Sequence, residues 1–331
     1  MQTFKALRVE EQDEGNFTRQ IVERKVSELP EGEVLVRVRY SSLNYKDALS
    51  ASGNRGVTRN YPHTPGIDAA GEVIESSAAD FSAGDEVIVI GYDLGMNTSG
   101  GFGQCIRVPA AWVVPRPDSL TLKESMTLGT AGFTAALCLE KLLRNGLQPD
   151  QGDVLVTGAT GGVGAVAVAI LHKLGYQVVA STGKAEQHDF LRSLGASRIL
   201  DRNQLSEESS RPLLKEDWAA AVDVVGGQTL ANVLKSLSYG GSVASCGLVG
   251  SPTFPATVFP FILRGVNLLG VDSVNLPLAV KGETWGLLAT EWKPADLESL
   301  GTEIGFAELA DSLDDVLAGR AVGRTVLNLD R

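Results

Sequence analysis

Two patterns of hydrophobic and polar positions divide the chain. Across residues 5–114, short β-like runs at 33–40, 70–74, 86–90 and 103–108 alternate with Gly, Pro, Asn and Asp, as in an irregular, mainly antiparallel domain. From Leu128 onward, strand and helix signals alternate instead. Helices are predicted over 131–143, 163–174, 185–194 and 228–237, and strands over 154–157, 177–181, 198–200, 221–225, 242–246 and 267–271. Strands in series with crossover helices require a parallel sheet, and right-handed crossovers make it doubly wound, so the fold class is α/β. Residues 276–289 read as a further helix, and 325–329 as a strand returning to the first domain. At 331 residues the chain exceeds the size at which one hydrophobic core usually keeps growing, which points to two domains.

Between the strand at 154–157 and the next helix lies Thr157-Gly-Ala-Thr-Gly-Gly-Val-Gly164. Its glycines let the backbone turn tightly and approach a pyrophosphate, and Thr160, Gly161, Gly162 and Val163 lead into a helix whose free N–H groups face the anion. Ala159 takes the first place of the usual G-x-G-x-x-G, so the spacing survives without its first glycine. The following strand ends in Ser181, Thr182, Gly183 and Lys184 where NAD-selecting folds carry Asp or Glu. A carboxylate there would repel the extra phosphate of NADP. Ser181, Thr182 and Lys184 can donate to it, with Arg202 as a second cation, so NADP(H) is the expected cofactor.

A net charge of −11 with 44% hydrophobic residues fits a soluble globular protein and argues against nucleic acid or an anionic membrane as partner. Cys105, Cys138 and Cys246 are widely separated and odd in number, which suggests reduced thiols. The first residues lack the basic and apolar regions of a leader, and no apolar run nears the roughly 18 residues that span a bilayer, so a cytoplasmic location is expected. The only histidines are His63, His172 and His188, with no C-x-x-C or H-x-x-x-H, so no metal site is expected. Without a Lewis acid to polarise an alcohol, hydride chemistry is better directed at an activated acceptor such as an enone or enoyl thioester, whose enolate can be held by hydrogen bonds.

Asn44-Tyr-Lys-Asp47, Pro65-Gly-Ile-Asp-Ala-Ala-Gly71, Gly84-Asp-Glu-Val87, Gly129-Thr-Ala-Gly-Phe-Thr-Ala135, the glycine turn and Phe261-Ile-Leu-Arg-Gly-Val266 occur in order along nearly the whole chain. Together they resemble the zinc-free quinone oxidoreductase branch of the medium-chain dehydrogenase/reductase superfamily, and most closely its acrylyl-CoA reductase subgroup. Where the zinc enzymes have Gly-His-Glu, this chain has Gly66-Ile67-Asp68. The resemblance implies a GroES-like catalytic domain from 1–124 and 278–331, with a Rossmann NADP-binding domain over 125–277. It implies an active site in the interdomain cleft and a homodimer pairing sheet edges near 267–273. It also implies NADP contacts from Tyr45, Thr160, Gly161, Gly162, Val163, Thr182, Gly183, Lys184, Arg202, Leu248, Ile262 and Ser273.

The implied reaction is NADPH-dependent reduction of the C=C bond of an α,β-unsaturated acyl-CoA, with hydride added at the β-carbon and a proton at the α-carbon. Asn44 is a candidate donor amide for the carbonyl or the nicotinamide, and Tyr61 a candidate proton donor with bound water as its rival. Asp47 either takes part in catalysis or pairs with Lys46 to fix the loop. Arg55, Arg59, Arg264 and Arg324 are the cations available to coenzyme A, unless they are ordinary surface residues. Three alternatives stand: a quinone or general enone reductase, an NADPH-binding sensor without turnover, and a zinc alcohol dehydrogenase.

Overall fold

The computed structural model describes residues 2–13 and 15–331, in two compact units. One takes the chain up to Thr130 and again over Val274–Thr290 and Asp296–Arg331; the other takes Ala131–Ser273 and Glu291–Ala295. The first unit opens with a hairpin of β1 (Thr3–Asp13) and β2 (Asn16–Lys25). It continues through β3 (Val34–Ser42), α1 (Tyr45–Ala51), β4 (Asp68–Ser76), β5 (Glu86–Ile90), β6 (Cys105–Val108) and β7 (Val113–Pro115). The strand expected at 86–90 has those ends; β3 begins one residue late and runs two past its expected end, and β4 extends at both ends.

Helix α2 (Leu122–Arg144) starts well before the expected 131. A capping box starts it there: Glu124 N–H donates to Thr121 Oγ1 (3.1 Å) and Thr121 N–H to Glu124 Oε2 (2.8 Å). Its backbone breaks at Gly129, with φ of 52° and ψ of −158°.

The second unit runs β8 (Val154–Val156), α3 (Gly162–Lys173), β9 (Val178–Thr182), α4 (His188–Ser193), β10 (Arg198–Asp201), α5 (Asn203–Ser206), β11 (Trp218–Asp223), α6 (Gly227–Ser236), β12 (Leu237–Ser245), α7 (Phe259–Arg264) and β13 (Asn267–Gly270). The predicted helix at 185–194 divides into a 3₁₀ turn at Ala185–Gln187 and α4. Six strands lie in the order β10-β9-β8-β11-β12-β13, every neighbouring pair parallel. β8 and most of β9 and β11 are apolar and buried, as strands covered on both faces must be. The strand order reverses direction between β8 and β11, and the crevice beyond the carboxyl ends at such a reversal is where doubly wound sheets bind ligands.

The chain then re-enters the first unit with α8 (Leu278–Ala289), β14 (Gly301–Ile304), α9 (Leu309–Leu317) and β15 (Arg324–Asn328). β15 pairs antiparallel with β3 and parallel with β14, giving the order β14-β15-β3-β4-β5-β7, with β6 also on β3. The core of this unit gathers Val34, Val36 and Val38 of β3, Leu309 and Leu313 of α9, and Leu327 of β15. Leu309 and Leu313 are one helical turn apart, which seats α9 on that core.

Candidate functional site

In the second unit the glycine turn leaves β8 at the sheet's reversal point. Thr157 ties it to the neighbouring strand: its Oγ1 donates to Asp223 Oδ1 (2.7 Å) and accepts the Val224 N–H (3.1 Å). Ala159 N–H donates to the Ser181 carbonyl (3.0 Å), which anchors the turn to β9. A Cβ at Gly164 would lie 2.5 Å from the Gly158 carbonyl oxygen, so only glycine lets α3 pack this closely on the turn. No side chain caps the start of α3, so the N–H groups of Gly162 and Val163 are left to a ligand or water.

At the end of β9 the proposed phosphate-binding residues come together. Thr182 Oγ1 accepts the Lys184 N–H (3.0 Å) and shares a hydrogen bond with Thr160 Oγ1 (3.2 Å). The Arg202 side chain lies along Gly183, where a Cβ would meet its Nε at 2.5 Å. Arg202 is exposed and has no ion-pair partner among the described residues. Burial first, and the Arg202 charge after it, push the Lys184 ammonium below its usual value, against Glu186. Two cations that disfavour one another, beside an uncapped helix start, suit a phosphorylated dinucleotide. Ser181 is 2% exposed and its carbonyl serves the turn, while Gly183 and Arg202 are exposed and Lys184 is half-buried. Of the other expected contacts in this unit, Leu248 and Ile262 are exposed and Ser273 is half-buried.

In the first unit a buried polar network surrounds the start of α1. Asp47 is fully buried, and its carboxylate accepts N–H groups from Asn44 (2.8 Å), Gly66 (3.1 Å) and Ile67 (2.8 Å). Burial, then the nearby Asp68 charge, raises its pKa to about 7 against those donors. The Lys46 pairing considered from the sequence does not form, and Asp47 holds the loop through backbone amides instead. Asp68, equally buried, accepts from Ser42 Oγ (2.5 Å), Asn44 Nδ2 (2.9 Å), Thr130 N (2.9 Å) and Thr130 Oγ1 (2.5 Å).

Arg324 Nη2 stands 3.8 Å from Asp68, while its Nε donates to the Thr127 carbonyl (3.1 Å) and its Nη1 to the Leu43 carbonyl (3.2 Å). The break at Gly129 makes this arrangement possible, because a Cβ there would fall among Ser42, Asp68 and Arg324. Asn44 Nδ2 donates both to Asp68 and to the Ser42 carbonyl (3.2 Å), so both amide hydrogens expected to serve a substrate are engaged within the protein. Tyr45, next in sequence, is 39% exposed.

Tyr61 donates its hydroxyl to the Ser50 carbonyl (2.6 Å), and its ring packs 4.8 Å from Phe17 under the Arg55 guanidinium. Partial burial raises the phenol pKa. Two of the four arginines considered for coenzyme A are committed elsewhere. Arg324 is buried in the network above, and Arg264 donates to the carbonyls of Leu214, Lys235 and Leu237 where α6 passes into β12. Arg55 pairs with Glu11 at 2.5 Å, and Arg59 is exposed. His63 Nε2 meets the Gly95 carbonyl at 2.9 Å, and burial lowers its pKa. Among the described residues, no group of three or more His, Cys, Asp and Glu side chains could hold a metal ion.

The alcohol dehydrogenase GroES-like domain family matches residues 30–118, and the zinc-binding dehydrogenase family matches 162–289. The two matches define a dehydrogenase/reductase built from two kinds of domain. Acrylyl-CoA reductase AcuI of Ruegeria pomeroyi is 45% identical over 99% of this chain and 99% of its own length. YhfP of Bacillus subtilis, whose name assigns it to the quinone oxidoreductases, is 48% identical over 91% of this chain and 92% of its own. A Salmonella enterica oxidoreductase solved with NADP is 46% identical, with a TM-score of 0.95 over 98% of this chain and 99% of that one. The Bacillus subtilis YhfP structure holds NAD, with a TM-score of 0.96 over 99% of this chain and 100% of that one. The chain belongs to the medium-chain dehydrogenase/reductase superfamily, in its quinone oxidoreductase branch and acrylyl-CoA reductase subgroup.

Proposed function

We propose that this chain is an NADPH-dependent reductase of the C=C bond of an α,β-unsaturated acyl-CoA, converting acrylyl-CoA to propionyl-CoA. The observation that carries the reading is near-complete alignment at 45% identity with an acrylyl-CoA reductase. NADPH, when bound, supplies the hydride. The glycine turn and the start of α3 hold its pyrophosphate, while Lys184, Arg202 and the Gly183 amide hold the additional phosphate. Asp47, Asp68 and Arg324 fix the Ser42–Asn44 backbone and present the exposed Tyr45 ring. Asn44 acts as a positioning residue, since both its amide hydrogens are in use.

Proton delivery by Tyr61 would take its hydroxyl from Ser50, so this reading assigns the α-carbon proton to water. Tyr61→Phe then keeps kcat within about threefold, whereas general-acid removal typically costs a hundredfold or more; a loss of that size assigns the proton to Tyr61. Two copies pair through β13, an edge strand bearing the exposed Leu268. A monomer by light scattering removes that part of the proposal.

The deciding experiment follows NADPH oxidation with acrylyl-CoA beside benzoquinone. Saturable thioester reduction with slow quinone turnover is expected. The similarity to YhfP favours quinone reduction as the second reading, and fast quinone turnover without thioester reduction would establish it.

A further inference from the structure

The first hairpin carries two arginines that the proposed reduction does not use. Arg24 of β2 stands opposite Phe4 of β1, and Arg8 follows four residues along β1, so period-two alternation puts both on one face of the hairpin. Val9 and His63 exchange backbone hydrogen bonds (2.8 and 2.9 Å), which lays residues 62–64 along β1. These segments enclose a cavity of about 150 Å³ whose polar lining is Arg8, Arg24, Glu28, His63, Thr64 and Ser99.

Arg24 Nη1 donates to Thr64 Oγ1 (3.1 Å) and to Ser99 Oγ (3.0 Å). Each hydroxyl accepts through its oxygen, so its own hydrogen remains to be donated, and a guanidinium on the oxygen strengthens that donor. Neither hydrogen has an acceptor among the described residues. Arg8 Nε is likewise buried without a hydrogen-bond partner among them, although Arg8 Nη2 reaches Glu10 at 3.0 Å. A charged donor buried in that condition is costly and calls for an acceptor.

We propose that this cavity binds a phosphate group, as inorganic phosphate or as a phosphomonoester. A phosphomonoester presents three acceptor oxygens, one each for Arg8 Nε, Thr64 and Ser99, whereas a carboxylate brings two oxygens to three donors. The volume is that of about five liquid waters, enough for the five heavy atoms of the group. Arg24 adds its charge behind the two hydroxyls. The Glu10 and Glu28 carboxylates offset part of the positive charge, but their side chains are 42% and 51% exposed against 17% for Arg24, so solvent screens them more. Glu28 stands 3.6 Å from Arg24 Nε, beyond hydrogen-bond length, and is free to turn toward water. His63 adds no charge at neutral pH, since its Nε2 donates to the Gly95 carbonyl and burial lowers its pKa. None of these groups belongs to the nucleotide turn, which lies in the other unit with Lys184 and Arg202.

The test titrates the full chain with inorganic phosphate by calorimetry, in chloride at constant ionic strength, beside Arg8→Gln, Ser99→Ala and Arg202→Ala. Phosphate can also settle at the nucleotide turn, and Arg202→Ala weakens that binding alone. The expected result is a saturable component with a Kd of about 1 mM that survives in Arg202→Ala and weakens about fivefold or more in Arg8→Gln and in Ser99→Ala. Ser99→Ala, a small change at a half-buried residue, reports on the site even where Arg8→Gln disturbs the hairpin. Titration with methyl phosphate distinguishes the sources: binding like that of inorganic phosphate assigns the site to a phosphomonoester, and binding of inorganic phosphate alone assigns it to the free ion. The absence of saturable heat overturns the site and leaves its donors to water. Binding abolished by Arg202→Ala but untouched by the Arg8 and Ser99 changes overturns it equally.

Discussion

Asp47 shows how one buried carboxylate couples stability to pH. The folded chain raises its pKa to about 7, whereas an unfolded aspartate titrates near 3.8, so folding takes up a proton between those values. The stability carried by that proton is complete below the unfolded value and is lost as pH rises through the folded one. Urea unfolding across this window should show wild type losing stability relative to Asp47→Asn as pH rises; parallel curves would place the titration elsewhere. At Lys184 the expectation is one of selectivity. Lys184→Glu should lower the NADPH-to-NADH ratio of kcat/KM by roughly 10- to 100-fold, the worth of a charge-assisted hydrogen bond plus a new repulsion. An unchanged ratio removes Lys184 from the phosphate site. Lys184 and Arg202 could be put forward from the sequence because a strand end fixes the place of a ribose partner. The Arg324 role was not, because the fold brings it to Asn44 from 280 positions away, and an arginine read without that context resembles any surface cation.

Among the elements, the parallel strands could be read because the central ones, β8, β9 and β11, are short apolar runs covered on both faces and the rest alternate with helices. The long strands β1 and β2 were not expected, and several other unexpected elements were polar or short. Helix α1 lies inside a motif read for its chemistry, although Asn44-Tyr-Lys-Asp47 is also a helix start, with the Asp47 carboxylate accepting the Asn44 N–H. Thr121 and Glu124 carried the same kind of signal for α2. Helix α8 was expected from its hydrophobic run, but not what its lysine does. Lys281 is fully buried, donates Nζ to the carbonyls of Ile90 (2.7 Å) and Val274 (3.2 Å), and lies 3.4 Å from the centre of the Tyr92 ring. It therefore clamps α8 to the end of β5. Lys281→Met keeps much of the volume but leaves both carbonyls without this donor, and should cost about 2–4 kcal/mol. Thermal unfolding tests this, and an unchanged Tm would mean water replaces the ammonium.

For the molecule as a whole, the governing feature is that one unit is inserted within the other. β3 and β15 are neighbours in one sheet, yet the whole six-stranded parallel sheet lies between them in the chain. A chain stopped after Gly323 loses β15 and the Arg324 side chain, exposing a β3 edge and leaving buried Asp68 without its cation. Limited proteolysis of that truncation should degrade the first unit while a fragment close to Ala131–Ser273 persists; equal resistance of both would show that β15 is dispensable. The same nesting sets an order of events on the ribosome. Domains tend to fold as they emerge, so the parallel sheet can be complete while β3 still waits for β15 to leave the exit tunnel. During that interval β3 is a bare edge on a nascent chain. A ribosome slowed before it has made β15 would prolong that exposure, making the codons for Arg324–Asn328 a point at which translation speed governs the yield of folded protein.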